Sequence, residues 1–154
     1  PTLLRRQRQM CIRDRVQARK DPDGANLDRI QIVKGWLDDD GKTHEQVFDV
    51  SWSDADQRTR GADGKVPSVG TRVNVREATY TNSIGATNLT AHWTDPSFNP
   101  SQKAFYYVRV LEIPTPTWLA YDRKNFNLYD ETLDNAPYTS QERVYSSPIW
   151  YNPS

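Results

Sequence analysis

LDRIQIVKGWL, residues 27–37, decides the fold. It places Ile30, Ile32 and Trp36 on one side and Gln31 on the other, the period of two that belongs to a half-buried β-strand. DDDG (38–41) follows as a turn, with Gly41 able to take the positive φ that other residues resist. EQVFDVSW (45–52) then alternates again, with Phe48, Val50 and Trp52 facing one way and Asp49 and Ser51 the other. The two runs read as a β-hairpin.

Outward from this hairpin the signals stay those of strands. Residues 53–70, SDADQRTRGADGKVPSVG, are polar and rich in turn formers and read as a surface loop. TRVNV offers a short strand through Val73 and Val75, and ATNLTAHWTD sets Leu89, Ala91 and Trp93 against Asn88, Thr90 and His92. KAFYYVRVLEI (103–113) is apolar on both faces, which predicts a central position in a sheet. Residues 114–140 carry prolines at 114, 116 and 137 without a clear period, and predict an irregular loop with one helical turn near residues 121–127. SPIWY closes the chain as a last short strand. Six or so strands with hairpin turns predict an all-β, immunoglobulin-like antiparallel β-sandwich with one long irregular loop. The five tryptophans, at 36, 52, 93, 118 and 150, fall mostly at inward positions and read as core, with a stacking platform for sugars or bases as the alternative.

The first residues need a separate reading. Arg5, Arg6, Arg8, Arg13 and Arg15 could form a phosphate-binding arm, but no second basic cluster follows to work with them. A secretory signal needs an apolar stretch of about 7–15 residues, and only Leu3 and Leu4 are present. RRQRQMCIRD (5–14) resembles instead the in-frame translation of the adapter that transposase-based sequencing libraries attach to DNA fragments. Residues 1–15 are therefore expected to be adapter-derived, non-native and disordered, with the β-sandwich domain spanning 16–154. The formal net charge of zero then resolves into 15 basic against 19 acidic residues, a mild acidity that argues against nucleic acid. Cys11 goes with the adapter, which removes disulfides, thiolate zinc sites and cysteine nucleophiles from consideration. No apolar run approaches the ~18–20 residues of a membrane span.

Chemistry-bearing patterns are sparse. His44 and His92 stand in no ligand spacing and read as surface histidines. Asp21, Asp23, Asn26 and Asp28 space oxygens like part of a calcium loop, yet the closing glutamate is missing and Asp-Pro-Asp-Gly is a strong turn former by itself. No G-x-S-x-G elbow surrounds any serine, and there is no Gly-rich phosphate loop. The sequence therefore nominates no catalytic residue, no metal ligand and no cofactor within these residues.

Three stretches, KDPDGANLDRIQIVKGWLDDDGKTHEQVFDVSWS, FYYVRVLEIPTPTW and SQERVYSSPIWYNP, resemble the C-terminal end of a bacterial family known as domain of unknown function 3604. With WTDPSFNPSQKAFYY the likeness covers residues 17–154. Members of that family resemble, in their N-terminal part, the PHP-type metal-dependent hydrolases and mostly look exported. The resemblance implies a C-terminal accessory domain of a periplasmic or secreted, phosphoesterase-like metallohydrolase, with divalent metal ions and catalysis in a missing N-terminal domain that would also be its partner. It further implies that FYYVRVLEI and SSPIWY pair as the last two strands. In the IPTP-x-W loop the family usually has a basic residue where Thr117 stands here. That loop, with the strand before it, makes Arg109, Trp118, Tyr121 and Asp122 the candidates for substrate contact. The alternative reading is a free-standing ligand- or carbohydrate-binding β-sandwich module.

Overall fold

The structure, a computed structural model, describes residues 13–129 and 136–153. Its strands are β1 (Arg13–Arg19), β2 (Leu27–Leu37), β3 (Thr43–Trp52), β4 (Val73–Asn74), β5 (Thr79–Tyr80), β6 (Asn88–Thr94), β7 (Ala104–Glu112), β8 (Thr115–Pro116), β9 (Thr139–Ser140), β10 (Arg143–Tyr145) and β11 (Ile149–Tyr151), with one helix, α1 (Trp118–Asn125). The main sheet runs β10-β7-β2-β3, and β11 adds to β7 alongside β10. All its pairings are antiparallel. A second layer, β1 paired with β6, lies across one face of that sheet, and the architecture is an all-β sandwich.

The core sits where the two layers meet. Ile30 and Ile32 of β2, with Tyr106 and Val110 of β7, face Leu89, Ala91 and Trp93 of β6 and Val16 and Ala18 of β1. Alternation alone produces this arrangement, because every second side chain of each strand reaches the same side. The hairpin turn is as expected, with Leu37 opposite Thr43 and Gly41 at φ 77°. β7 is hydrogen-bonded on both sides, as its doubly apolar pattern predicted.

At the outer edge of β7 the chain pairs first through Val144 and Tyr145 and again through Ile149 to Tyr151. Ser146 bridges the gap: its N–H donates to the Val108 carbonyl at 3.0 Å, and its Oγ accepts the Val108 N–H at 2.9 Å. The Tyr-rich strand and the S-x-P-I segment therefore pair.

Three features differ from the sequence reading. In the β2–β3 ladder Ile30 faces Ser51 but Gln31 faces Asp49, so Val50 is an extra residue and the alternation reverses. Phe48 stays on the inner side against Trp93, whereas Trp52 turns outward and donates its indole N–H to the Arg58 carbonyl at 2.7 Å. Second, the helical turn begins earlier, at Trp118, because the chain on both sides of it is clamped. β8 pairs with β9, and the Thr117 hydroxyl donates to the Pro137 carbonyl at 2.7 Å rather than capping the helix. Third, β1 starts at Arg13, inside the segment expected to be disordered, with Arg15 opposite His92. A β-ladder uses backbone groups, so it accepts residues of any origin that continue in an extended conformation. Residues 1–12 lie outside the described part. Among the described residues no helix is long and apolar enough to cross a membrane.

Candidate functional site

Most of the buried charge is committed to structure. On the outer face of the main sheet, Arg29 donates to Asp28 at 3.0 Å and to Asp49 at 3.1 Å, and also to the carbonyls of Val66 and Pro67, each at 2.8 Å. Arg58 donates to the other oxygen of Asp28 at 2.7 Å and to Ser53 and Pro67. The Val66 N–H donates to Asp49 at 2.8 Å, and Arg60 donates to the Asp49 carbonyl. Asp28, Arg29, Asp49 and Arg58 are each less than 10% exposed. The face of β3 that carries Asp49 is therefore covered by the 53–70 segment. That segment is irregular, as expected, but it is pinned through two guanidinium groups.

A second buried pair lies on the inner face. Lys34 Nζ is 2.7 Å from Asp95 Oδ2, which also accepts the Tyr106 hydroxyl at 2.7 Å. The Ser97 N–H donates to Asp95 Oδ1 at 2.9 Å. Burial pushes the Asp95 carboxyl up, but the hydrogen bonds from Lys34, Tyr106 and Ser97 and the charge of Lys34 outweigh it and hold the group below its ordinary value.

At the turn, Asp38 accepts the N–H groups of Asp40 and Lys42 and lies 2.7 Å from His44 Nε2. The bond to His44 is the main reason its carboxyl is held low. His44 is half-buried and stacked on Trp36, with ring centroids 5.2 Å apart and planes at 17°, rather than a free surface histidine. Burial, with Glu142 and Asp21 nearby, raises Glu112. Asp21 closes a turn with Gly24, the Asn26 amide donates to Ile84, and Asp28 is held by two arginines, so the calcium-like pattern is spent on the turn and on the fold. Among the described residues no three His, Cys, Asp or Glu side chains are placed to hold a metal ion, so the implied divalent metals have no fitting site in this part of the chain.

What remains uncommitted is aromatic. On the outer face, Phe105 and Tyr107 lie nearly parallel along β7, with planes at 6° and centroids 6.3 Å apart. Trp150 flanks Phe105 at 5.2 Å and Tyr145 flanks Tyr107 at 6.1 Å. Trp150 is 66% exposed. The Phe105 ring lies directly over Gly35, where an added Cβ would sit 2.4 Å from two ring carbons. Beside these rings, at the hairpin end of the sheet, opens a cleft of about 560 Å³ whose lining includes Glu45, Lys103, Phe105, Trp150 and Asn152. Gly35→Ala is expected to swing the Phe105 ring away and cost about 1–3 kcal/mol, as overpacking does. Urea denaturation reads the cost, and a crystal structure of the variant with Phe105 unmoved would refute the steric account.

The residues nominated from sequence lie elsewhere. Arg109 donates to the Gln31 amide oxygen at 2.7 Å, and Gln31 in turn donates to Asp49 at 2.7 Å, so Arg109 stands at the margin of the charged network. Trp118, Tyr121 and Asp122 belong to α1, where Trp118 is 74% exposed, Tyr121 is exposed and Asp122 accepts the Phe126 N–H in the last turn. No hydrogen bond or ring contact joins Arg109 to these three among the described residues. The Trp150–Phe105 cleft was missed because period-two reading cannot tell which face of a doubly apolar strand stays open.

The chain matches the family described as "Protein of unknown function (DUF3604)" over residues 4–153. It belongs to that family. No curated protein and no solved structure matches it. The DUF3604 match begins ahead of Val16 and so takes in most of the arginine-rich opening as well as the whole sandwich.

Proposed function

We propose that this DUF3604 chain is the C-terminal accessory β domain of a longer, exported, phosphoesterase-like metal-dependent hydrolase, supporting or shaping the catalytic part without performing the chemistry. One observation carries the reading: the acids that the fold buries, Asp28, Asp49 and Asp95, are each held by an arginine or lysine. Their oxygens are spent on arginine, lysine and backbone N–H groups of the sandwich itself, which makes them parts of the fold rather than groups presented to a substrate. In the same reading residues 1–15 derive from adapter DNA, metal ions bind in the upstream part, and nucleic acid is no partner.

The test is to recover the genomic sequence upstream of Val16 and express the extended protein. We expect a histidine- and aspartate-rich α/β segment, hydrolysis of p-nitrophenyl phosphate that depends on added divalent cation and disappears on chelation, and no such activity from residues 16–154. A start codon near Val16, or an upstream segment of another kind, overturns the proposal.

A further inference from the structure

We propose that the cleft beside Trp150 and Phe105 binds a neutral saccharide, one pyranose face stacked on the exposed indole of Trp150 and its hydroxyls bonded at the rim by Glu45 and Lys103. The proposal is independent of the hydrolase reading, since it concerns binding alone.

Four observations lead to it. The first is size: about 560 Å³ falls within the range of ligand clefts and leaves room for one or two sugar rings. The second is ring geometry. Phe105 and Trp150 both line the cleft, their centroids 5.2 Å apart and their planes at 47°. Aromatic faces carry partial negative charge, and the axial C–H groups of a pyranose carry the complementary positive edge. Third, the rings are held in place before any ligand arrives. Phe105 rests on Gly35. Trp150 precedes Tyr151, which is buried, packs edge-on against Phe98 at 5.0 Å and donates its hydroxyl to the Pro100 carbonyl at 2.9 Å. Rings fixed in this way lose little entropy on binding. An indole that is two-thirds exposed contributes little to the core, so folding gives no reason for its position.

The fourth observation is charge. Glu45 and Lys103 stand at the cleft as one acid and one base, both exposed. Together they offer acceptors and donors with no net charge, which suits hydroxyl groups. A phosphate or uronate would meet Glu45, and a polyamine would meet Lys103. Nucleobases also stack on aromatic rings, but a single lysine in a lining that also holds a glutamate does not neutralise a phosphate backbone.

The experiment is native electrophoresis of the full chain through gels containing hydroxyethylcellulose, galactomannan or arabinoxylan, with polygalacturonate and a blank gel beside them. At least one neutral polysaccharide should retard the wild type. Trp150→Ala should weaken that retardation about tenfold, the loss typical of an anchoring aromatic. Glu45→Gln should weaken it less, and Phe126→Ala, at another exposed aromatic ring, should leave it unchanged. Because Trp150 and Glu45 are exposed, these variants fold whether or not they bind. No retardation by any of the three neutral polymers overturns the proposal. So does retardation by polygalacturonate alone, or retardation unaffected by Trp150→Ala.

Discussion

Arg29→Ala is expected to destabilise the protein by about 3–5 kcal/mol, the range for breaking a buried ion pair from one side. Its guanidinium supplies four bonds at once, to Asp28, Asp49, Val66 and Pro67. Removing it takes the Arg29 guanidinium away from the Asp49 carboxylate while Asp49 stays buried under the 53–70 segment. Two readouts should therefore change together. Urea midpoints should fall, and trypsin should cleave at Arg60 and Lys65 far faster than in the wild type, because the segment has lost the anchor that tied it to β2. Arg29→Lys should recover little, since an ammonium cannot span two carboxylates and two carbonyls in one plane. A loss below about 1 kcal/mol with unchanged proteolysis would show that the segment is held by something else.

Lys34→Met is expected to be comparably severe, about 3–5 kcal/mol, because it strands the Asp95 carboxylate in the core. The double variant Lys34→Met, Asp95→Asn should regain most of that loss. An amide oxygen can still accept from Tyr106 or Ser97 without carrying a charge into the interior. The same pair sets an acid limit. Asp95 titrates lower in the folded chain than in the unfolded one, so its contribution is complete above the ordinary carboxylate value of about 3.9 and is lost as pH falls through the folded value. Wild-type stability should drop below about pH 4, and the double variant should lack this component of the drop. Equal acid sensitivity in the two proteins would refute it.

How far the sequence discloses this molecule depends on the range of the interaction. The β2–β3 hairpin, β6 and β7 were legible because alternation and turn chemistry act between near neighbours, as in Ile30, Ile32 and Gly41. Alternation set Asp49 opposite Phe48 but did not disclose its burial, because its cover comes from Arg29 and Val66, 20 and 17 residues away. Arg58 and Asp28 are 30 residues apart, and nothing local in SDADQRTRG announces a buried arginine. The Val50 bulge that turned Trp52 outward leaves no mark in composition either. The loop residues Trp118, Tyr121 and Asp122 were found on a helix, whereas the open aromatic cleft was formed by strand residues that also fit a core pattern.

The Ser146 crossover has a consequence for behaviour in concentrated solution. A sheet border with a long row of free amide and carbonyl groups is a template on which another chain can lay a strand, the first step toward fibrils. Here the outermost strand is cut into two three-residue pieces, and Pro148 between them offers no N–H. Val108, which would otherwise present its backbone at the cut, has both groups satisfied by Ser146. On this side the sheet ends without an invitation to grow.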